Sequence, residues 1–75
     1  MTGTDGHELD VQVGEPDLVV TMPGTTLKVV YRVFLGELIE FSRIRDPDAP
    51  ISAQEFSVLS RVAARRKAQE LGWID

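Results

Sequence analysis

Ile51-Ser52-Ala53-Gln54-Glu55-Phe56 is where this chain changes character. Ser52 is placed to accept a hydrogen bond from the amide of Glu55 while the Glu55 carboxylate reaches back to the amide of Ser52, and Ile51 and Phe56 can close over the turn as a hydrophobic staple. Upstream of this box apolar residues recur at every second position, and downstream they recur at helical spacing. The chain is therefore a β-rich N-terminal part followed by one C-terminal helix, an α+β domain.

Upstream, Asp17 to Met22 alternates as a half-buried strand does, and Met22-Pro23-Gly24-Thr25 reads as a turn in which proline presets φ and glycine supplies a positive φ. Thr26 to Phe34 is a second alternating run, Gly36 offers the next reversal, and Leu38 to Arg45 is a third strand. It ends at Asp46-Pro47-Asp48-Ala49-Pro50, where two prolines stop ladder pairing. The expected architecture is a three-stranded antiparallel meander with one C-terminal helix packed on one face, β-β-β-α.

A tip at Leu35 and Gly36 pairs Tyr31 with Glu40, and a loop from Pro23 to Thr26 pairs Val19 with Val30. This register gathers Leu18, Val20, Met22, Leu27, Val29, Tyr31, Val33, Leu38 and Ile44 on the core side. The helix, from about Ala53 to Leu71, is expected to cover them with Phe56, Leu59, Ala63 and Leu71, with Val62 at the edge. Small Ala63 and Ala64 allow it to approach the sheet closely. Gly72 is a left-handed stop, beyond which Trp73 folds back on the last turn.

With 75 residues the chain buries only ~60% of its unfolded surface, so its stability is thin. Asp5, Glu8, Asp10 and Glu15, with no Lys or Arg among residues 1–16, account for the whole net charge of −4. Residues 1–16 are expected to be an acidic, disordered tail, because they hold too little apolar surface to offset chain entropy. Residues 17–75 form the single small domain and are charge-balanced. The absence of cysteine removes disulfides, thiolate metal sites and thiol nucleophiles together. No apolar run spans a bilayer and no signal-peptide pattern opens the chain, so the expectation is a protein of the cytoplasm, away from membranes.

One helix cannot cover both sides of a sheet. The opposite face carries the row Val19, Val30, Phe41, flanked by Thr21, Lys28, Arg43 and by Asp17, Arg32, Ile39, with Arg45 at the margin. Contiguous apolar patches of this kind mark interfaces. The expected contact surface is Val19, Val30, Arg32, Ile39, Phe41 and Arg43, with a homodimer or another protein as partner. Two other uses compete for it. The alternating Leu9-Asp10-Val11-Gln12-Val13 could lie against the patch or add a fourth strand. Alternatively Lys28, Arg32, Arg43 and Arg45, with an aromatic among them, could meet a nucleic acid.

No enzymatic chemistry is expected. Glu40, aimed at the core side beside Tyr31, reads as a carboxylate hydrogen-bonded to Tyr31 or Lys67, and it lacks a catalytic companion. His7 is the only histidine and sits in the tail, which leaves neither a metal site nor a histidine base. No serine has a hydrolase arrangement, and no glycine-rich loop precedes a helix to hold phosphates. No cofactor or small-molecule substrate follows from the residues. Arg61, Arg65, Arg66 and Lys67 spread around the helix and suit its C-terminal dipole, with Arg66 and Glu70 spaced to pair.

The order of three strands and a helix looks like the small DNA-binding domains at the start of some phage integrases, a likeness of topology that carries no function. Met22-Pro23-Gly24-Thr25, Tyr31-Arg32, Ala49-Pro50-Ile51 with Glu55-Phe56, and Glu70-Leu71-Gly72-Trp73-Ile74 together resemble a group of small uncharacterised bacterial proteins across residues 17–75. The resemblance implies no active site. Val33-Phe34-Leu35-Gly36 is more apolar than that group's turn and Val58-Leu59-Ser60 departs from its alanine-rich helix, which leaves the hairpin tip and the helix packing open.

Overall fold

The computed structural model describes residues 9–74. Among them lie β1 (Asp10–Gly14), β2 (Asp17–Thr21), β3 (Lys28–Phe34), β4 (Glu37–Ile44) and α1 (Ala53–Glu70). The strands form one antiparallel sheet in chain order, β1-β2-β3-β4, so each pairs with its neighbour in sequence. The α+β class is as expected, but the sheet has four strands instead of three. Val11 and Val13 sit opposite Val20 and Leu18, so the segment assigned to an acidic tail is ordered as β1 from Asp10 onward. Cross-strand pairing with β2 outweighs its polar composition. Residues 1–8, including His7 and the rest of the expected tail, lie outside the described residues.

The turns follow from their residue types. Thr25 donates its amide and its hydroxyl to the Met22 carbonyl at 3.2 Å and 2.8 Å, around Gly24 at φ +83°, where a side chain would be strained. The β3–β4 tip consists of Leu35 and Gly36, both at positive φ, +54° and +76°, the backbone of a primed hairpin turn. Strands β1 and β2 meet across the cis Glu15–Pro16 peptide. At the other end of the sheet, Asp46 accepts the Thr26 amide at 2.9 Å and the Asp48 amide at 2.9 Å. That carboxylate ties the β2–β3 loop to the segment leading into α1, and the two amide donors hold its pKa below the ordinary value.

The expected register holds throughout β2–β3, with Val19 opposite Val30 and Leu18 opposite Tyr31. Along β3–β4 it holds from Phe34 to Tyr31, which faces Glu40, and then slips by one residue, so that Val30, Val29 and Lys28 face Ser42, Arg43 and Ile44. Phe41 is the extra residue of this β-bulge. A bulge reverses the facing of everything beyond it. Ile44, expected in the core, is therefore on the open side, and Arg43, expected on the open side, is on the helix side.

The core is a single cluster in which Leu18, Val20, Val29 and Tyr31 from the sheet meet Phe56, Ala64 and Ala68 of α1, with Ile51 and Ile74 closing its ends. Ser52 caps the helix as expected, its hydroxyl accepting the Glu55 amide at 3.0 Å, and Ile51 and Phe56 are both buried. At the other terminus Trp73 donates to the Ala68 carbonyl at 2.8 Å and Gly72 to that of Gln69 at 3.1 Å, with Gly72 at φ +77°. This is the Schellman arrangement. Between the caps, the buried residues of α1 are Phe56, Ser60, Ala64 and Ala68. Of the expected stripe, Leu59 packs partly buried against the core, while the fully buried positions fall one residue on, at Ser60, Ala64 and Ala68; Leu71 is exposed, and so is Val62, expected at the edge. Small side chains under the sheet bring the backbones close, whereas Leu59 or Leu71 in the same place would hold them apart.

Candidate interaction face

The helix packs against β2, β3 and β1, on the side where Leu18, Val20, Val29 and Tyr31 project. On the other side β2 presents Asp17, Val19 and Thr21, which pair with Arg32, Val30 and Lys28 of β3. On the same side, Arg32 pairs with Ile39, Val30 with Ser42 and Lys28 with Ile44 of β4. Strand β1 lengthens this surface without covering it, because it enters the sheet edge to edge and contributes Gln12 opposite Val19. Among the described residues nothing lies over this face. Ile39, Phe41 and Ile44 are 44%, 61% and 47% exposed, and Phe34 at the tip is exposed as well.

Arg32 organises the centre. Its Nε donates to Asp17 Oδ1 at 2.8 Å and its Nη2 to Oδ2 at 3.3 Å, while the guanidinium carbon lies 4.2 Å from the centroid of the Phe41 ring. The bidentate pair lowers the Asp17 pKa and raises that of Arg32. It also holds the cation flat over the aromatic, where its charge meets the ring's electron-rich face. Phe41, the bulge residue, has no partner in the β3 register, and its ring lies beside Arg32 on the open side. The face is a mixed apolar and ion-paired surface.

Of the residues expected to form the surface, Val19, Val30, Arg32, Ile39 and Phe41 are brought together. Arg43 is not among them. It donates to Glu40 Oε1 at 2.9 Å and Oε2 at 3.0 Å and to Ser57 Oγ of α1 at 3.2 Å, which places it at the helix-side margin of β4 and raises its pKa. The four cations expected to meet a nucleic acid are divided likewise. Lys28 and Arg32 are on the open face, Arg43 is on the other side, and Arg45 follows the end of β4 with its carbonyl accepting the Thr26 hydroxyl at 3.1 Å. Glu40 takes Arg43 as its partner, in place of Tyr31 or Lys67, and Lys67 pairs instead with Glu70 at 3.3 Å. Tyr31 is buried, its Oη 3.0 Å from Ser60 Oγ. Ser60 in turn donates to the Ser57 carbonyl at 3.1 Å, so the phenol is the donor between the two hydroxyls.

Sequence reasoning missed Ile44 on the open face, because a bulge leaves no mark in an alternating pattern. It also missed a groove of about 390 Å³ between β1 and α1, walled by Leu9, Val11, Leu59 and Val62 with Arg66 and Lys67 at its rim. The fourth-strand reading of Leu9 to Val13, carried through to which side Val11 faces, points to it. Among the described residues no cluster of His, Asp or Glu is placed to hold a metal ion, and no helix is long and apolar enough to cross a membrane. No family model matches the chain, and no curated protein or solved structure matches it either.

Proposed function

We propose that this protein is a non-enzymatic interaction module that uses its uncovered sheet face, with a second copy of the chain as its first partner. The observation that carries the reading is the apolar row of half-buried Val19 and Val30 with exposed Ile39 and Phe41, joined by Ile44 and centred on an arginine already paired with Asp17. A domain this small gains stability when such a surface is buried. Its composition, free of cysteine, suits work in the cytoplasm.

The alternative use of the face, nucleic-acid binding, draws on Lys28 and Arg32 beside Phe41. The ion pair with Asp17 weakens it, because a phosphate would have to displace a bidentate carboxylate already in place. The two readings respond oppositely to salt. Phosphate contacts weaken steeply as salt rises, whereas apolar association persists. Light scattering of wild type and Phe41→Asp across a salt series, with labelled duplex DNA in parallel, tests both. The expected outcome is a salt-resistant dimer that becomes monomeric in Phe41→Asp and leaves DNA unbound. A monomer in every condition would overturn the self-association reading, and salt-sensitive DNA binding would put the alternative in its place.

A further inference from the structure

We infer that two copies join through the β4 edge, strand to antiparallel strand, so that their open faces become one continuous surface. The inference rests on the reading that a second copy is the partner and puts the contact at the β4 border of the open face, at Ile39, Phe41 and Ile44, leaving Val19 and Val30 of the inner strands uncovered.

Strand β4 is an edge of the sheet and the longest of the four strands; it carries a bulge and the charges of Glu37, Glu40 and Arg43, devices that bar an edge to strands unable to match them. It extends beyond the helix and meets α1 through Arg43 and Ser57. The opposite edge, β1, is shorter and presents Asp10, Gln12 and Gly14 on the open side. On the open side the exposed apolar residues of β4 are Ile39, Phe41 and Ile44, whereas on β1 the exposed apolar residue is Val13, on the helix side opposite Leu18.

The bulge supplies the register. Antiparallel partners related by a two-fold axis perpendicular to the sheet must place facing residues on the same side. In β4, Ile39, Ser42 and Ile44 face the open side through their partners Arg32, Val30 and Lys28, and Phe41 does so through its contact with Arg32. Glu40 and Arg43, opposite Tyr31 and Val29, face the helix side. An axis passing between Phe41 and Ser42 sets Glu40 of one copy opposite Arg43 of the other, Ile39 opposite Ile44, and Phe41 opposite Ser42, with every pair on a common side. Without the slipped residue, Glu40 and Arg43 would lie on opposite sides and could not face each other under this symmetry. The ion pair that each copy closes within itself then becomes a ring of four alternating charges across the axis. On the open side, isoleucine meets isoleucine twice.

Charge reversal tests this register specifically. Glu40→Arg sets Arg against Arg at both ends of the axis, and Arg43→Glu sets Glu against Glu. Each variant alone is expected to weaken dimerisation by roughly 100-fold or more, as like charges brought together at an interface do. Mixing the two restores opposite charges at both positions, and a heterodimer of near wild-type affinity is the expected result. Mixing cannot repair the contact within either chain, so restoration identifies the contact between copies. Sedimentation of each variant and of the mixture reads the outcome, and circular dichroism checks the fold. As a second measurement, Glu40→Cys mixed with Arg43→Cys, in a chain otherwise free of cysteine, is expected to oxidise chiefly to the mixed disulfide. Chiefly like-with-like disulfides, or no cross-link, would overturn the register. A dimer broken by Phe41→Asp but indifferent to both charge reversals would remove the edge and leave the face reading standing, whereas a monomeric wild type would remove both.

Discussion

Phe56 and Phe41 are the same side chain on opposite sides of one sheet, 1% and 61% exposed respectively. Phe56 enters from the first turn of α1 into a cluster of Leu18, Val20, Val29 and Tyr31. Phe41 lies under a guanidinium and otherwise faces water. The difference arises from the cover. A single helix whose buried residues after Phe56 are the small Ser60, Ala64 and Ala68 can settle closely on one side, and the chain has no second helix among its described residues for the other. Apolar pattern therefore decides which residues share a face, while the count and placement of covering elements decide which face becomes core. The two sides hold similar residue types and have opposite fates.

The largest effect should separate the two phenylalanines directly. Phe56→Ala removes a buried ring from a small core and is expected to cost about 3–5 kcal/mol, enough to unfold much of a marginally stable domain. Phe41→Ala, measured at a concentration where the chain is monomeric, is expected to stay within about 0.5 kcal/mol of wild type. Urea denaturation of the pair checks this. Equal losses would mean that the open face is covered in solution.

The second test stays inside the covered side, at Ser60, the one buried polar residue among the described residues. Ser60→Ala leaves the Tyr31 phenol buried without an acceptor and is expected to cost about 1–3 kcal/mol. Tyr31→Phe leaves Ser60 its bond to Ser57, so a cost of about 0.5–1.5 kcal/mol is expected. The double variant should be less destabilised than the two single losses combined, because it removes both partners at once. Strict additivity would show that the two hydroxyls do not depend on each other.

Much of this contrast was legible before the structure. Pro23-Gly24 fixed a short turn between two alternating runs, and that turn carried Val19 to Val30. Ser52 and Gly72 marked the helix ends, because both positions answer to backbone groups that the chain itself supplies. Strand β1 was legible only as an alternative, a fourth strand read from the alternation of Leu9, Val11 and Val13: Asp10, Gly14 and Glu15 weigh against order locally, and the pairing with β2 that outweighs them is a tertiary term. The bulge at Phe41 was invisible for a similar reason, since it is a choice between neighbouring registers, and it carried Arg43 and Ile44 to the wrong sides. On the helix, Leu59 as a core contact and Ala64 as a point of close approach were legible, whereas the larger Leu71 drew the expected stripe away from Ser60 and Ala68, which closeness to the sheet favours.

A smaller effect lies at the tip of the open side. Leu35 is 86% exposed and holds a φ of +54°, a conformation that Asn and Gly adopt more readily. Leu35→Asn is expected to raise stability by about 0.5–1 kcal/mol, read as an upward shift in melting temperature. A loss would show that this leucine contacts something that an exposed tip does not reveal.

The smallest effect is electrostatic and concerns both sides equally. Asp17 and Asp46 have folded pKa values below the ordinary 3.8, the first through Arg32 and the second through the amides of Thr26 and Asp48. A depressed carboxylate stabilises the fold at pH above its unfolded value, and that contribution is lost as pH falls through the folded value. The urea midpoint should therefore be level near neutrality and decline below about pH 4. Asp46→Asn should flatten part of that decline. An acid limb unchanged by both Asp46→Asn and Asp17→Asn would place its origin elsewhere.

Because the sheet runs β1-β2-β3-β4 in chain order and α1 comes last, the division between the faces is a late product of synthesis. Each hairpin closes between segments adjacent in sequence, the kind of contact that forms early and fast. As the chain leaves the ribosome, all four strands emerge before residues 53–70 do. For that interval Leu18, Val20 and Val29 are as open to solvent as Ile39 and Phe41, and the nascent sheet has two adhesive sides. What separates a core from an open face here is the arrival of residues 53–70, which commits one of two similar sides to the interior.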